Sequence, residues 1–187
     1  AVISSKAKQY PSWYTAAKQS LFRSLIGKGY FGFDCVCLIK SILWGWNGDS
    51  SKSYGGAVYG SNGVPDLNAD LFFNKCSGIS TDFSKIEIGE AVWMSGHIGI
   101  YIGDGLAVEC TPKWSNNVQV TAVGNIGKKA GYNTRTWTKH GKIPYVTYEP
   151  VSNGTAEQKK PADTSEIAIG TEVIMLGTKH FTSSNST

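Results

Sequence analysis

The feature that most constrains the fold is an alternating segment that begins at His97 and ends at Cys110. Apolar side chains recur in two runs, residues 98–102 and 106–110, and Gly103, Asp104 and Gly105 separate them. Glycine adopts positive φ at little cost, so this triplet is typical of a tight turn between antiparallel strands. The segment therefore predicts a β-hairpin, and with it an antiparallel sheet.

An apolar helical pattern precedes the hairpin by some sixty residues. Asp34 is a favoured N-cap residue, and the apolar positions after it recur at helical spacing as far as Gly45. The spacing predicts a helix whose first residue is Cys35. It also predicts an earlier helix that Ser12 caps and Gly27 ends, and a short helix over residues 69–75.

Further strands are expected over residues 87–94, 118–123, 135–139 and 143–148, where the period changes to that of a strand. Helices followed by a run of strands are typical of an α+β fold. The composition then changes to Pro, Ser, Gly and Lys. We therefore expect a first domain over 1–149, a linker over 150–165 and the opening strands of an incomplete module over 166–187.

Composition excludes several classes of function. No apolar run approaches the roughly 20 residues that span a bilayer, so no membrane span is expected. The net charge is +4 and the lysines are scattered, which gives no footprint for a nucleic acid. Such mild positive charge would suit anionic polymers of a bacterial wall, although solvation alone also accounts for it. The first residues lack the apolar core of a signal peptide.

The four cysteines favour a free thiol over a disulfide or a metal. Two of them, Cys35 and Cys37, share one helix turn, and a chain of 187 residues can form a hydrophobic core without disulfide bonds. The cysteines and histidines lack zinc spacing, and Asp49, Asp66 and Asp70 lack the spacing of a calcium loop. We therefore predict neither a metal nor a cofactor.

Cys35 is the candidate nucleophile because of its position. A thiol at a helix N-terminus lies at the positive end of the helix dipole, which favours the thiolate. Cys37 lies roughly 200° further around the same helix, so both thiols cannot face one cleft. The alternative interpretation is that Cys35 is simply a small buried apolar residue, the common fate of a free cysteine.

His97 is the candidate base, and Glu109 is the candidate group that orients it. His97 opens the cleanest strand, whereas His140 lies in a polar stretch and His180 lies beyond the expected linker. The turn at Asp104 places Glu109 roughly opposite His97 on the neighbouring strand. A carboxylate there would orient the imidazole, as the third member of a catalytic triad does. A solvent-facing glutamate is the alternative.

Three motifs in this order resemble the NlpC-type peptidoglycan cysteine peptidases and the related CHAP domains. They are Asp-Cys-Val-Cys-Leu from Asp34, Gly-Glu-Ala-Val from Gly89, and His-Ile-Gly-Ile-Tyr-Ile-Gly-Asp-Gly from His97. The resemblance covers residues 10–148 and implies a papain-like α+β fold with catalytic Cys35, His97 and Glu109. Asp34 and Trp114 are candidate substrate contacts. The chain departs from the motif where Val36 and Cys37 replace the usual Ser-Gly.

The resemblance implies hydrolysis of an amide in peptidoglycan, either within the stem peptide or at the muramoyl-alanine bond. Residues 170–181 resemble the start of SH3-like wall-binding modules, which together with the catalytic part is the plan of a phage endolysin. Such a protein would be made in the host cytoplasm without a signal peptide, be released at lysis, and act on the Gram-positive cell wall. Two alternatives remain: a non-catalytic wall-binding protein on the same fold, and a papain-like acyltransferase or transglutaminase.

Overall fold

The computed structural model describes residues 2–115 and 117–148, which form a mixed α+β architecture with a curled seven-stranded sheet. The helices are α1 Val2–Gln9, α2 Ala16–Leu25, α3 Cys35–Leu43 and α4 Ala69–Phe73. The strands are β1 Ser77–Ser80, β2 Ala91–Met94, β3 His97–Gly103, β4 Leu106–Thr111, β5 Asn117–Val123, β6 Thr134–Arg135 and β7 Lys139–Lys142. The expected linker and second module lie outside the described residues.

The sheet has the strand order β1-β7-β2-β3-β4-β5-β6, and its central hairpin is the predicted one. In β3 and β4, Gly99 pairs with Glu109 and Tyr101 pairs with Ala107. Asp104 in the turn has a φ of 51°, the left-handed conformation that the flanking glycines also adopt. All strand pairs are antiparallel except β5 and β6, which run parallel.

Helix α3 begins and ends where the sequence predicts. The Asp34 side chain accepts a hydrogen bond from the Cys37 backbone N–H at 2.7 Å and so caps the first turn. Val36 and Ile39 are buried in one apolar cluster with Ile98 of β3. This packing fixes the start of the helix against the start of the hairpin strand.

The N-terminal segment differs from its prediction. The helix expected from Ser12 begins instead at Ala16, and Thr15 caps it by accepting a hydrogen bond from the Lys18 N–H. The aromatic residues before the cap account for the difference, because Trp13 and Tyr14 fold back onto Phe22. Helix α1 was not predicted, and within the described chain α2 buries none of its residues.

The C-terminal strands also differ from their prediction. The strand expected over 135–139 is replaced by β6 and β7, and residues 143–148 form no strand. Pro144 explains the second error, because proline has no N–H to donate to a ladder. Strand β7 lies between β1 and β2, so His140 is buried there and pairs with Glu90 instead of facing solvent.

No helix within residues 2–115 and 117–148 is long and apolar enough to cross a bilayer.

Candidate active site

Cys35 stands where helix α3 meets the start of strand β3. Its side chain is half-buried, and its Sγ lies 4.0 Å from the carbonyl oxygen of Gly96, the residue before His97. The first N–H groups of a helix have no partner within the helix. The backbone N–H of Cys35 is therefore available to a bound oxygen next to the thiol.

His97 lies between the thiol and a carboxylate. Its ring nitrogen Nε2 is 2.6 Å from Oε2 of Glu109, and the ring also interacts with the Cys35 thiol. Because Glu109 takes Nε2, Nδ1 is the ring nitrogen left for the thiol. The sequence thus placed Cys35, His97 and Glu109 in one cluster, and the structure brings these three residues together.

Trp137 stacks on the His97 ring and fixes its orientation. The two rings stack with centroids 5.4 Å apart and planes 7° apart. Gly99 makes this possible, because a Cβ there would lie 3.2 Å from the Trp137 ring and 2.8 Å from the Val108 carbonyl oxygen. A side chain at position 99 would therefore displace the ring that supports His97.

Asp70 of α4 fixes the turn that leads into His97. Its Oδ1 accepts hydrogen bonds from the Gly96 N–H at 2.8 Å and from the Trp93 indole at 2.9 Å. Asp66 instead binds Lys40, and Asp49 binds Ser51. Across residues 2–115 and 117–148, no group of three His, Cys, Asp or Glu side chains is arranged to hold a metal ion.

Glu109 has no solvent exposure and is surrounded by donors, which excludes the solvent-facing alternative. Thr121 Oγ1 donates to Oε1 at 2.6 Å, and Arg135 Nε lies 2.8 Å from Oε1 and 2.7 Å from Oε2. Sequence reasoning missed Thr121 and Arg135. The sequence held one signal that Arg135 pairs with a buried carboxylate. The chain has two arginines among its 18 cationic residues, and Arg135 is the one that lies in an expected strand.

The electrostatics of the cluster favour an imidazolium beside a carboxylate. Burial raises the pKa of Glu109, but the hydrogen bonds from His97, Arg135 and Thr121 outweigh it and leave the pKa below its ordinary value. Desolvation of the ring lowers the pKa of His97, but the hydrogen bonds with Cys35 and Glu109 outweigh it and raise the pKa. The imidazolium therefore persists to higher pH than in an ordinary histidine.

The other three thiols are protonated at neutral pH. Burial, together with the Asp34 carboxylate, raises the pKa of Cys37 to about 11. Burial raises the pKa of Cys76 and of Cys110 to about 12. All four cysteines are free thiols, so these three are poor nucleophiles in the folded protein.

The two candidate substrate contacts have structural partners of their own. Asp34 is exposed beside Cys35, and its carboxylate caps α3. Trp114 is half-buried and packs over the Arg135 guanidinium at 4.9 Å and the Lys113 ammonium at 4.7 Å. Both border the cluster, and their contact with substrate stays a prediction.

The chain matches no protein-family model, no curated protein and no solved structure. The site therefore has to be interpreted from its own geometry and from the three sequence motifs.

Proposed function

We propose that the protein is a cysteine hydrolase of papain-like fold that cleaves an amide bond in Gram-positive peptidoglycan. One observation carries the proposal: the His97 imidazole lies between a thiol at a helix start and a fully buried carboxylate. This is the arrangement in which a base activates a nucleophile and a third group orients the base. The NlpC-type motifs supply the substrate class, and the endolysin role belongs to the same proposal.

The first half of the reaction acylates the enzyme. His97 takes the proton of the Cys35 thiol, and the thiolate attacks the carbonyl carbon of the amide. The backbone N–H of Cys35 donates to the oxyanion that forms. The imidazolium, paired with Glu109, then gives its proton to the leaving amine, and a thioester remains on Cys35.

The second half regenerates the thiol. His97 accepts a proton from water, and the resulting hydroxide attacks the thioester carbonyl. The carboxylic acid leaves, and the proton on His97 returns to the Cys35 sulfur. The overall reaction consumes one water and yields one amine and one carboxylic acid.

Digestion of purified Gram-positive walls tests the proposal. We expect amino groups to appear in solution without new reducing ends, because an amide is cut and the glycan is not. Mass spectrometry of the fragments identifies the bond: cut stem peptides indicate an endopeptidase, and intact peptides freed from muramic acid indicate an amidase. Walls that bind the protein and release no amine would favour the non-catalytic alternative. Turnover of lipid or protein amides in place of walls would favour an acyltransferase or transglutaminase.

The N-terminal helices offer a surface for the anionic wall polymers that we propose as a second partner. Residues 1–33 contain five cations and no acidic residue, which leaves 13 cations and 14 acidic residues in the rest of the chain. The cations are Lys6, Lys8, Lys18, Arg23 and Lys28. A segment of one sign attracts a polyanion far more than the net charge of +4 suggests.

A charge-matched pair of variants tests this surface. Changing Lys6, Lys8 and Lys18 to glutamine should weaken cosedimentation with walls roughly tenfold at low salt. The control changes three exposed lysines outside the segment to glutamine, namely Lys75, Lys85 and Lys128, and should bind normally. Equal loss in both variants, or unchanged binding to walls stripped of anionic polymers, would contradict the assignment.

A further inference from the structure

Arg135 is the cation that balances the buried carboxylate of the site. Glu109 has no exposed surface, and three side chains surround its two oxygens: His97, Thr121 and Arg135. Arg135 is 7% exposed and reaches both oxygens through Nε. A charge buried this deeply is stable only when it is paired and hydrogen-bonded.

The guanidinium of Arg135 is held on several sides. It lies 4.9 Å from the Trp114 ring and 5.3 Å from the Trp137 ring, which itself stacks on His97. One terminal nitrogen donates to Thr111 Oγ1 at 3.2 Å. The other contacts the Met94 sulfur at 3.6 Å. A planar cation packed in this way has one orientation, and its hydrogen bonds go to Glu109, Thr111 and Met94 and not to the Cys35 thiol.

The charges that face the cluster can be counted element by element. Helix α3 presents Cys35 and Cys37, with the Asp34 carboxylate at its cap, and strand β4 presents Cys110 beside Glu109. The thiols of Cys37 and Cys110 are neutral at neutral pH. Helix α4 presents the Asp70 carboxylate at the Gly96 turn, and strand β6 contributes Arg135. With His97 protonated, Arg135 is therefore one of two cations in the cluster and faces the carboxylates of Asp34, Asp70 and Glu109.

We propose that Arg135 is a positioning residue that acts through Glu109 to set the pH range in which the Cys35 thiol is reactive. Without Arg135, the same surroundings carry one positive charge fewer, whether the remaining proton lies on His97 or on Glu109. A thiolate is harder to form when a positive charge is removed from its surroundings. The inference rests on the proposed thiol chemistry of Cys35 and His97, and it does not depend on the identity of the substrate.

Alkylation of the full chain by iodoacetamide tests this inference without any substrate. The rate at the Cys35 peptide is followed by mass spectrometry as a function of pH. Arg135→Gln should move the midpoint up by about one pH unit, which means roughly tenfold slower alkylation at any pH below the midpoint. Arg135→Lys keeps the charge and should keep the midpoint, even if its rate is lower. Lys85→Gln, which removes a cation at an exposed site outside the cluster, should leave the profile unchanged.

A second pair of variants keeps the test decisive if Arg135→Gln does not fold. Glu109→Gln should move the midpoint down, because it removes the anion, and Glu109→Gln combined with Arg135→Gln should return it towards the wild-type value. A wild-type midpoint in Arg135→Gln, or the same midpoint in Glu109→Gln with and without Arg135, would overturn the inference. If wild-type Cys35 reacts no faster than free cysteine, the proposed function fails. If the shift appears in a protein that leaves walls intact, only the substrate is wrong.

Discussion

Cys35→Ser is expected to abolish the release of amino groups from purified walls, with a loss on the order of 10⁴-fold or more. A serine hydroxyl holds its proton far more tightly than a thiol, so in a site built around a thiol, His97 generates the nucleophile far less readily. The Cys35 side chain is only half-buried, and serine nearly matches its shape, so folding should be unaffected. Amine release measures the rate, and circular dichroism verifies the fold.

Cys37→Ser is the matched control, because it makes the same change two residues along the same helix. The Cys37 thiol is held protonated, with a pKa of about 11, so its loss should leave substantial activity. An inactive Cys37→Ser protein beside an active Cys35→Ser protein would show that the nucleophile has been assigned to the wrong cysteine.

His97→Ala is expected to remove activity about as completely as Cys35→Ser. The members of a catalytic unit do not contribute additively, so losing the base costs nearly what losing the nucleophile costs. The variant also removes the ring that stacks on Trp137 and pairs with Glu109. Alkylation of Cys35 near neutral pH should therefore fall to the rate of an ordinary thiol, which separates loss of activation from loss of substrate binding.

His140→Gln controls for the loss of a buried histidine as such. His140 also pairs with a buried glutamate, Glu90, but it lies on β7 with β2 between it and β3. The change should lower the free energy of unfolding by about 2–3 kcal/mol, because it leaves a buried carboxyl without its partner. The folded fraction, followed by urea titration, should still hydrolyse walls. Equal inactivation of folded His140→Gln and His97→Ala would remove the special role of His97.

Sequence patterns within one helix and one hairpin predicted the positions of Cys35 and His97. Asp34 and the helical spacing after it located α3, so Cys35 fell at the helix start. The turn at Asp104 located the hairpin and brought His97 close to Glu109, but the expected register was wrong: Glu109 pairs with Gly99, and the His97 side chain reaches it diagonally. Each of these inferences uses neighbours in sequence or one tight turn.

The rest of the cluster depends on pairings that no local pattern encodes. Arg135 reaches Glu109 because β6 pairs in parallel with β5, across residues 124–133 that are not strand. His140 is buried because β7 inserts between β1 and β2, which end at least 45 residues before β7 begins, and the polar neighbours of His140 gave no sign of this. Non-local pairing decides both positions, so residue spacing alone could not place them.

The spread of the cluster along the chain also bears on how the protein is made. Cys35 leaves the ribosome before its partners, since Glu109 and Arg135 follow it by 74 and 100 residues. A helix as short as α3 is marginal without the sheet that it packs against. A nascent chain therefore carries an ordinary cysteine until nearly the whole described domain has been synthesised. An activated Cys35 thiol would thus be a sign that folding is complete. In a ribosome-bound or truncated product, Cys35 would not react with amides around it.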